Sequence, residues 1–170
     1  VTGCLGDAVG ALSYLDLDGE VVDDSPVKAL LDKYYQPEPR LDLGQKMLSY
    51  ARCGIDISDG LLADFEHIAQ LSGVGGVIYP HKIPVSQALT SLFPVQALEL
   101  AMNGGDDYEL IICLPPSEFA RSACEDLTYI GDVIEQPGIF LENETGHRIL
   151  APVDGYQHFL QRGLSRHEIT

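Results

Sequence analysis

The sequence predicts an α+β domain in which helices pack on a central, mixed β-sheet. Stretches with helical spacing and short runs of strand formers are mixed along the chain without strict alternation. A closing series of strand-like runs is punctuated by turn residues. The chain of 170 residues is 45 % hydrophobic and 21 % charged, which excludes disorder and suits one domain with a real core.

Val1 to Gly3 reads as the end of a strand. Residues 7–14 are rich in small side chains (Ala8, Gly10, Ala11) and predict a closely packed helix. Residues 16–25 are acidic and unpatterned, as in a surface loop. Ser25 caps a helix that opens on Pro26 and carries Val27, Leu30, Leu31 and Tyr34 on one side. Pro37 and Pro39 end it, and residues 40–52 predict another helix with Leu41, Leu43, Met47, Leu48 and Ala51 as its apolar face.

Residues 53–57 are short and β-prone. The clearest helix follows: Ser58 or Asp59 is the expected cap, Leu61, Leu62, Phe65, Ile68 and Ala69 form the stripe, and Gly73 the stop. A strand over 75–80 and helices over 86–93 and 95–102 come next. Residues 108–114 form an apolar strand closed by Pro115 and Pro116, and 117–124 a helix. Strands over 128–135, 138–142 and 148–150 are joined by turns at Gln136-Pro137 and Glu144-Thr145-Gly146.

Lys and Arg number 10 against 26 Asp and Glu, a formal charge of -16. Nucleic acid and anionic membrane surfaces are poor partners for such a chain, because both are bound by neutralising phosphates. No apolar run approaches a membrane span, and the opening residues are neither a signal nor a transit peptide. The start at Val1 reads as the edge of a piece cut from something longer. Cys4, Cys53, Cys113 and Cys124 lack ligand spacing and read as small core residues of a reducing cytosol.

Two acidic stretches carry chemistry. In Gly54-Ile55-Asp56-Ile57-Ser58-Asp59-Gly60, strand alternation sends the isoleucines to a core and Asp56 and Ser58 to the other face, with Asp59 in the first helical turn. Hard oxygen ligands at such a junction suit Mg²⁺ shared with substrate phosphates. Simple capping also accounts for Ser58 and Asp59, but not for Asp56. Gly104-Gly105-Asp106-Asp107-Tyr108-Glu109 places acids after a glycine turn, and reads either as a ligand approach or as a turn with solvated acids. Glu109 fits the second reading least, because it interrupts an apolar run. Gly6-Asp7 is a weaker candidate, and so are Asp106 and Asp107. No Walker A loop, dinucleotide fingerprint or Gly-x-Ser-x-Gly is present.

Taken in order, Val1-Thr2-Gly3 with Gly6-Asp7, Pro37-x-Pro39-Arg40, Ile55-Asp56-Ile57-Ser58-Asp59-Gly60-Leu61, Gly104-Gly105-Asp106-Asp107-Tyr108-Glu109-Leu110 and Gly155-Tyr156-x-His158-Phe159 resemble thiamine-monophosphate kinase. The resemblance runs to about Phe159, with Gln36 where a basic residue often stands. It implies the C-terminal domain of an aminoimidazole-ribonucleotide-synthetase-like protein over residues 1–160, a tail over 161–170, and an N-terminal domain outside this chain that builds a homodimer. It also implies transfer of the ATP γ-phosphate to thiamine monophosphate, with several Mg²⁺ ions, in the cytoplasm. By the same resemblance Asp56 and Asp59 bind Mg²⁺, Ser58 contacts ATP, and Glu109 and Tyr156 contact the thiamine substrate. The fragment alone is expected to be inactive. The alternatives are a sister ATP-dependent enzyme, of selenophosphate-synthetase or aminoimidazole-cycloligase type, and a Mg²⁺- or nucleotide-binding module without catalysis.

Overall fold

The computed structural model describes residues 1–16 and 25–152. The expected acidic loop falls mostly outside them, as do Tyr156, His158, Phe159 and the tail. The elements in chain order are α1 (Asp7–Leu15), α2 (Pro26–Tyr35), α3 (Leu41–Met47), β1 (Cys53–Asp56), α4 (Leu61–Ser72), β2 (Gly75–Ile78), a 3₁₀ turn (Pro80–Lys82), α5 (Gln87–Leu92), α6 (Ala97–Asn103), β3 (Leu110–Cys113), α7 (Pro116–Ser122), β4 (Gly131–Ile134), β5 (Gly138–Glu142) and β6 (Arg148–Leu150).

The α+β architecture expected from the sequence is borne out. A mixed sheet runs in the order β4-β2-β5-β6, with β2 and β5 parallel and the other pairs antiparallel. A separate antiparallel ribbon pairs β1 with β3. The first two residues stitch ribbon to sheet. Thr2 N–H donates to the Leu110 carbonyl (3.1 Å), Leu110 N–H to the Thr2 hydroxyl (2.8 Å), and Thr128 N–H to the Val1 carbonyl (2.8 Å). This is why the expected strand over 128–135 is shorter: Thr128 answers to Val1, and only Gly131–Ile134 pair with β2.

Helix α4 lies on this framework by the stripe read from its spacing. Leu61, Leu62, Phe65, Ile68 and Ala69 join Ile57, Ile78, Ile111 and Ile139 in the main core. Gly76 is small because the Phe65 ring lies where its Cβ would be. A second core gathers Ala11, Val27, Leu30, Leu31, Leu89 and Ala97 between α1, α2, α5 and α6. The Ser25 hydroxyl caps α2 by accepting Lys28 N–H at 3.2 Å, with Pro26 at the first helical position.

The helix expected over 40–52 is corrected to the seven residues of α3. Tyr50 N–H and Ala51 N–H both donate to the Met47 carbonyl, closing a turn that hands the chain to β1. Of the expected apolar face only Met47 is buried; Leu41 is 69 % and Leu48 78 % exposed. No helix among the described residues is long and apolar enough to cross a membrane.

Candidate functional site

Beyond Asp56, which pairs with Leu110, the ribbon continues irregularly into both acidic stretches. Ile57 N–H donates to the Glu109 carbonyl (2.7 Å), Tyr108 N–H to the Ile57 carbonyl (2.8 Å), and Asp106 N–H to the Ser58 carbonyl (2.9 Å). Two motifs far apart in sequence therefore run side by side. Gly105 permits this approach, since a Cβ there would overlap the Ser58 carbonyl oxygen. Asp106 and Tyr108 take φ values of 64° and 52°, left-handed backbone that costs non-glycine residues roughly 1–2 kcal/mol each.

The turn from β1 into α4 is held by a residue the sequence reading passed over. One carboxylate oxygen of Asp64, Oδ2, accepts N–H groups from Ser58 (2.9 Å), Asp59 (3.0 Å) and Gly60 (3.2 Å). The expected cap by Ser58 or Asp59 is thus corrected: Gly60 holds the cap position at φ 115°, and neither side chain bonds there. The available signal was an acid at the fourth position of an apolar helix start, Leu61-Leu62-Ala63-Asp64. Asp64 is only 2 % exposed, and burial raises its carboxyl pKa against the opposing pull of those N–H bonds. Because Asp64 does the capping, the carboxylates of Asp56 and Asp59 and the Ser58 hydroxyl carry no hydrogen bond among the described residues. Asp56 is exposed, and Ser58 and Asp59 are half-buried. Oxygens of Asp59 and Asp64 and a His67 ring nitrogen lie within 4.8 Å of one another.

Glu109 is engaged on both oxygens. Arg40 Nε donates to Oε2 and Nη2 to Oε1, each at 2.7 Å, and the Thr2 hydroxyl donates to Oε2 at 2.6 Å. At 3 % exposure, burial pushes the Glu109 carboxyl up, but Arg40 and Thr2 outweigh it and the net pKa is lowered. The sequence reading named neither Arg40 nor Thr2 as functional, although both stand inside quoted motifs.

Two of the weaker candidates, Asp107 and Asp7, are tied to the start of helix α1. Asp107 Oδ2 accepts Gly6 N–H at 2.7 Å, which ties the residue before α1 to the second acidic stretch. Burial raises its carboxyl pKa to about 7. Asp7 is buried and accepts the Ser86 hydroxyl at 2.6 Å; burial raises its pKa too. Asp106 accepts the Tyr108 hydroxyl at 3.2 Å. Beside this edge a largely apolar groove of 690 Å³ runs between α3 and the ribbon, with Arg40, Asp56 and Tyr108 among its lining residues.

No family model matches the chain. Among curated proteins it is similar to the thiamine-monophosphate kinase of Aquifex aeolicus, 33 % identical over 94 % of this chain and 50 % of that protein. It is also similar to the Caulobacter vibrioides kinase of the same name, 38 % identical over 82 % of this chain and 42 % of that protein. A solved structure described as AaThiL complexed with AMPPCP and TMP superposes with a TM-score of 0.80 and 33 % identity, over 93 % of this chain and 50 % of that one. The chain belongs to the thiamine-monophosphate kinase family. Members of this family are phosphotransferases by name, and the chain spans about half the length of the curated relatives it matches.

Proposed function

We propose that the chain is the C-terminal domain of a thiamine-monophosphate kinase, covering residues 1–160 with a tail over 161–170, whose missing N-terminal domain builds a homodimer in the cytoplasm. The whole enzyme passes the ATP γ-phosphate to the phosphate of thiamine monophosphate, giving thiamine diphosphate, and the isolated chain is inactive. The observation that carries this reading is the main-chain junction of Ile57 and Ser58 with Asp106, Tyr108 and Glu109, which gathers both acidic motifs on one edge. The ligand names of the AaThiL complex support the two substrates.

The donor set fits Mg²⁺. Asp56 and Asp59 offer hard oxygens that no described residue engages, and such ions need only one or two protein carboxylates beside waters and substrate phosphates. When bound, the ions neutralise phosphate charge, which a chain of net charge -16 otherwise repels. Asp64 and Gly60 hold the turn so that Asp56 and Asp59 keep their places, and the Ser58 hydroxyl is free to meet ATP. Glu109 and Tyr156 are the proposed thiamine contacts. For Glu109 that role requires a cationic substrate to compete with Arg40 for its carboxylate.

The test is thiamine diphosphate formation by the full-length protein with ATP, thiamine monophosphate and Mg²⁺. Turnover supports the reading, and its absence overturns it. Turnover by the isolated chain would overturn the half-site assignment.

A further inference from the structure

The ribbon that carries the site at one end carries a pair of thiols at the other. Cys53 and Cys113 are direct partners in the β1–β3 register. Both pack against the same core, so their side chains share one face of the ribbon. Directly opposed residues of an antiparallel pair have Cα atoms about 4.5–5.5 Å apart, inside the range that a disulfide spans. Neither thiol is sealed off: both are half-buried, and Cys113 lines a 500 Å³ cavity bounded by Leu61, Phe65, Ile78 and Tyr129. Cys4 and Cys124 have no cysteine opposite them in any register.

We propose that Cys53 and Cys113 form a reversible cross-strand disulfide by exchange with a small-molecule disulfide. The sulfur of Cys53, as thiolate, attacks one sulfur of the incoming disulfide, forming a mixed disulfide and releasing one thiol, which takes up the proton Cys53 gave up. Cys113 then attacks the Cys53 sulfur, gives up its own proton, and releases the second thiol. The two cysteines lose two electrons and two protons, which the small disulfide gains. The link would clamp β1 to β3 and tighten the ribbon that leads into Asp56 and Glu109.

The chain is incubated folded with oxidised glutathione, alkylated and mapped by mass spectrometry. The expected product is a peptide pair joined through Cys53 and Cys113, lighter by two hydrogens and reversed by dithiothreitol. Amide exchange across β1 and β3 is expected to slow roughly tenfold in the oxidised form. Cys113→Ser is expected to trap glutathione on Cys53. Links through Cys4 or Cys124 instead, glutathione left on Cys53 in the native sequence, or unchanged amide exchange would overturn the proposal. The mapping of the native chain stands whether or not the serine variant folds.

Discussion

The guanidinium of Arg40 and the carboxylate of Glu109 meet in two parallel hydrogen bonds of 2.7 Å, joining the segment before α3 to the segment before β3. The Glu109 side chain is almost wholly covered while Arg40 keeps about a fifth of its surface in water. Removing the partner of such a covered charge costs more than the pair is worth. Arg40→Ala is expected to destabilise the chain by about 3 kcal/mol, and Arg40→Lys by a smaller amount because the two-pronged geometry is lost. Urea unfolding at pH 7 measures both. An Arg40→Ala, Glu109→Gln double variant that recovers none of the loss would contradict the pairing argument.

The same pair sets an acid limit. The folded Glu109 pKa is lowered, so its contribution is complete above the ordinary glutamate value and is lost as pH falls through the folded value. Stability of the native chain should therefore drop on acidification below the usual glutamate range, and Glu109→Gln should flatten that part of the curve.

Asp107 works in the opposite direction. Its carboxyl is raised to about 7 by burial, so the folded state holds a proton that the unfolded state releases at a lower pH. Its contribution is complete below the ordinary aspartate value and is lost as pH climbs toward 7. The native chain should lose roughly 2 kcal/mol more than Asp107→Asn between pH 5 and pH 8. Paired urea titrations at the two pH values decide it, and equal slopes for the two proteins would refute the buried, protonated assignment.

Asp64→Ala removes the acceptor of three backbone N–H groups at once. A loss of about 2–3 kcal/mol is expected, larger than for an ordinary exposed cap. Asp56→Asn, at an exposed position without a hydrogen bond, should leave the unfolding midpoint unchanged. In the full-length enzyme the same Asp56→Asn change should lower kcat by roughly a hundredfold or more, through lost charge neutralisation. A normal rate would remove Asp56 from the site.

Gly105→Ala should be among the most damaging changes in the chain, because the added carbon meets the Ser58 carbonyl. Faster exchange at the Ile57, Asp106 and Tyr108 amides is the signature to look for by hydrogen-exchange mass spectrometry. Unchanged protection there would mean that the two acidic stretches are not held together by this contact.

Periodicity was enough to read α2 and α4 because their apolar stripes face one core each, and spacing is all that such burial requires; α1 was legible from its small residues. It failed at α3, where Leu41 and Leu48 look like core residues but lie in solvent along the groove. In the site, residue types pointed to Asp56, Ser58, Asp59 and Glu109. The partners Asp64, Arg40 and Thr2 were not legible, because their roles depend on contacts across the fold: Thr2 meets Glu109 across 107 positions and Arg40 meets it across 69. Capping rules favour the residue just before a helix, and here the acceptor reached back from inside it.

The stitch made by Val1 and Thr2 bears on how the domain folds. Val1 and Thr128 exchange hydrogen bonds across 127 positions, so this pairing closes a loop that spans most of the described residues. Until it closes, the ribbon lacks the tie that Val1 makes to the segment leading into β4. A contact of such sequence separation carries a high loop-closure cost, so this domain is expected to fold slowly for its size.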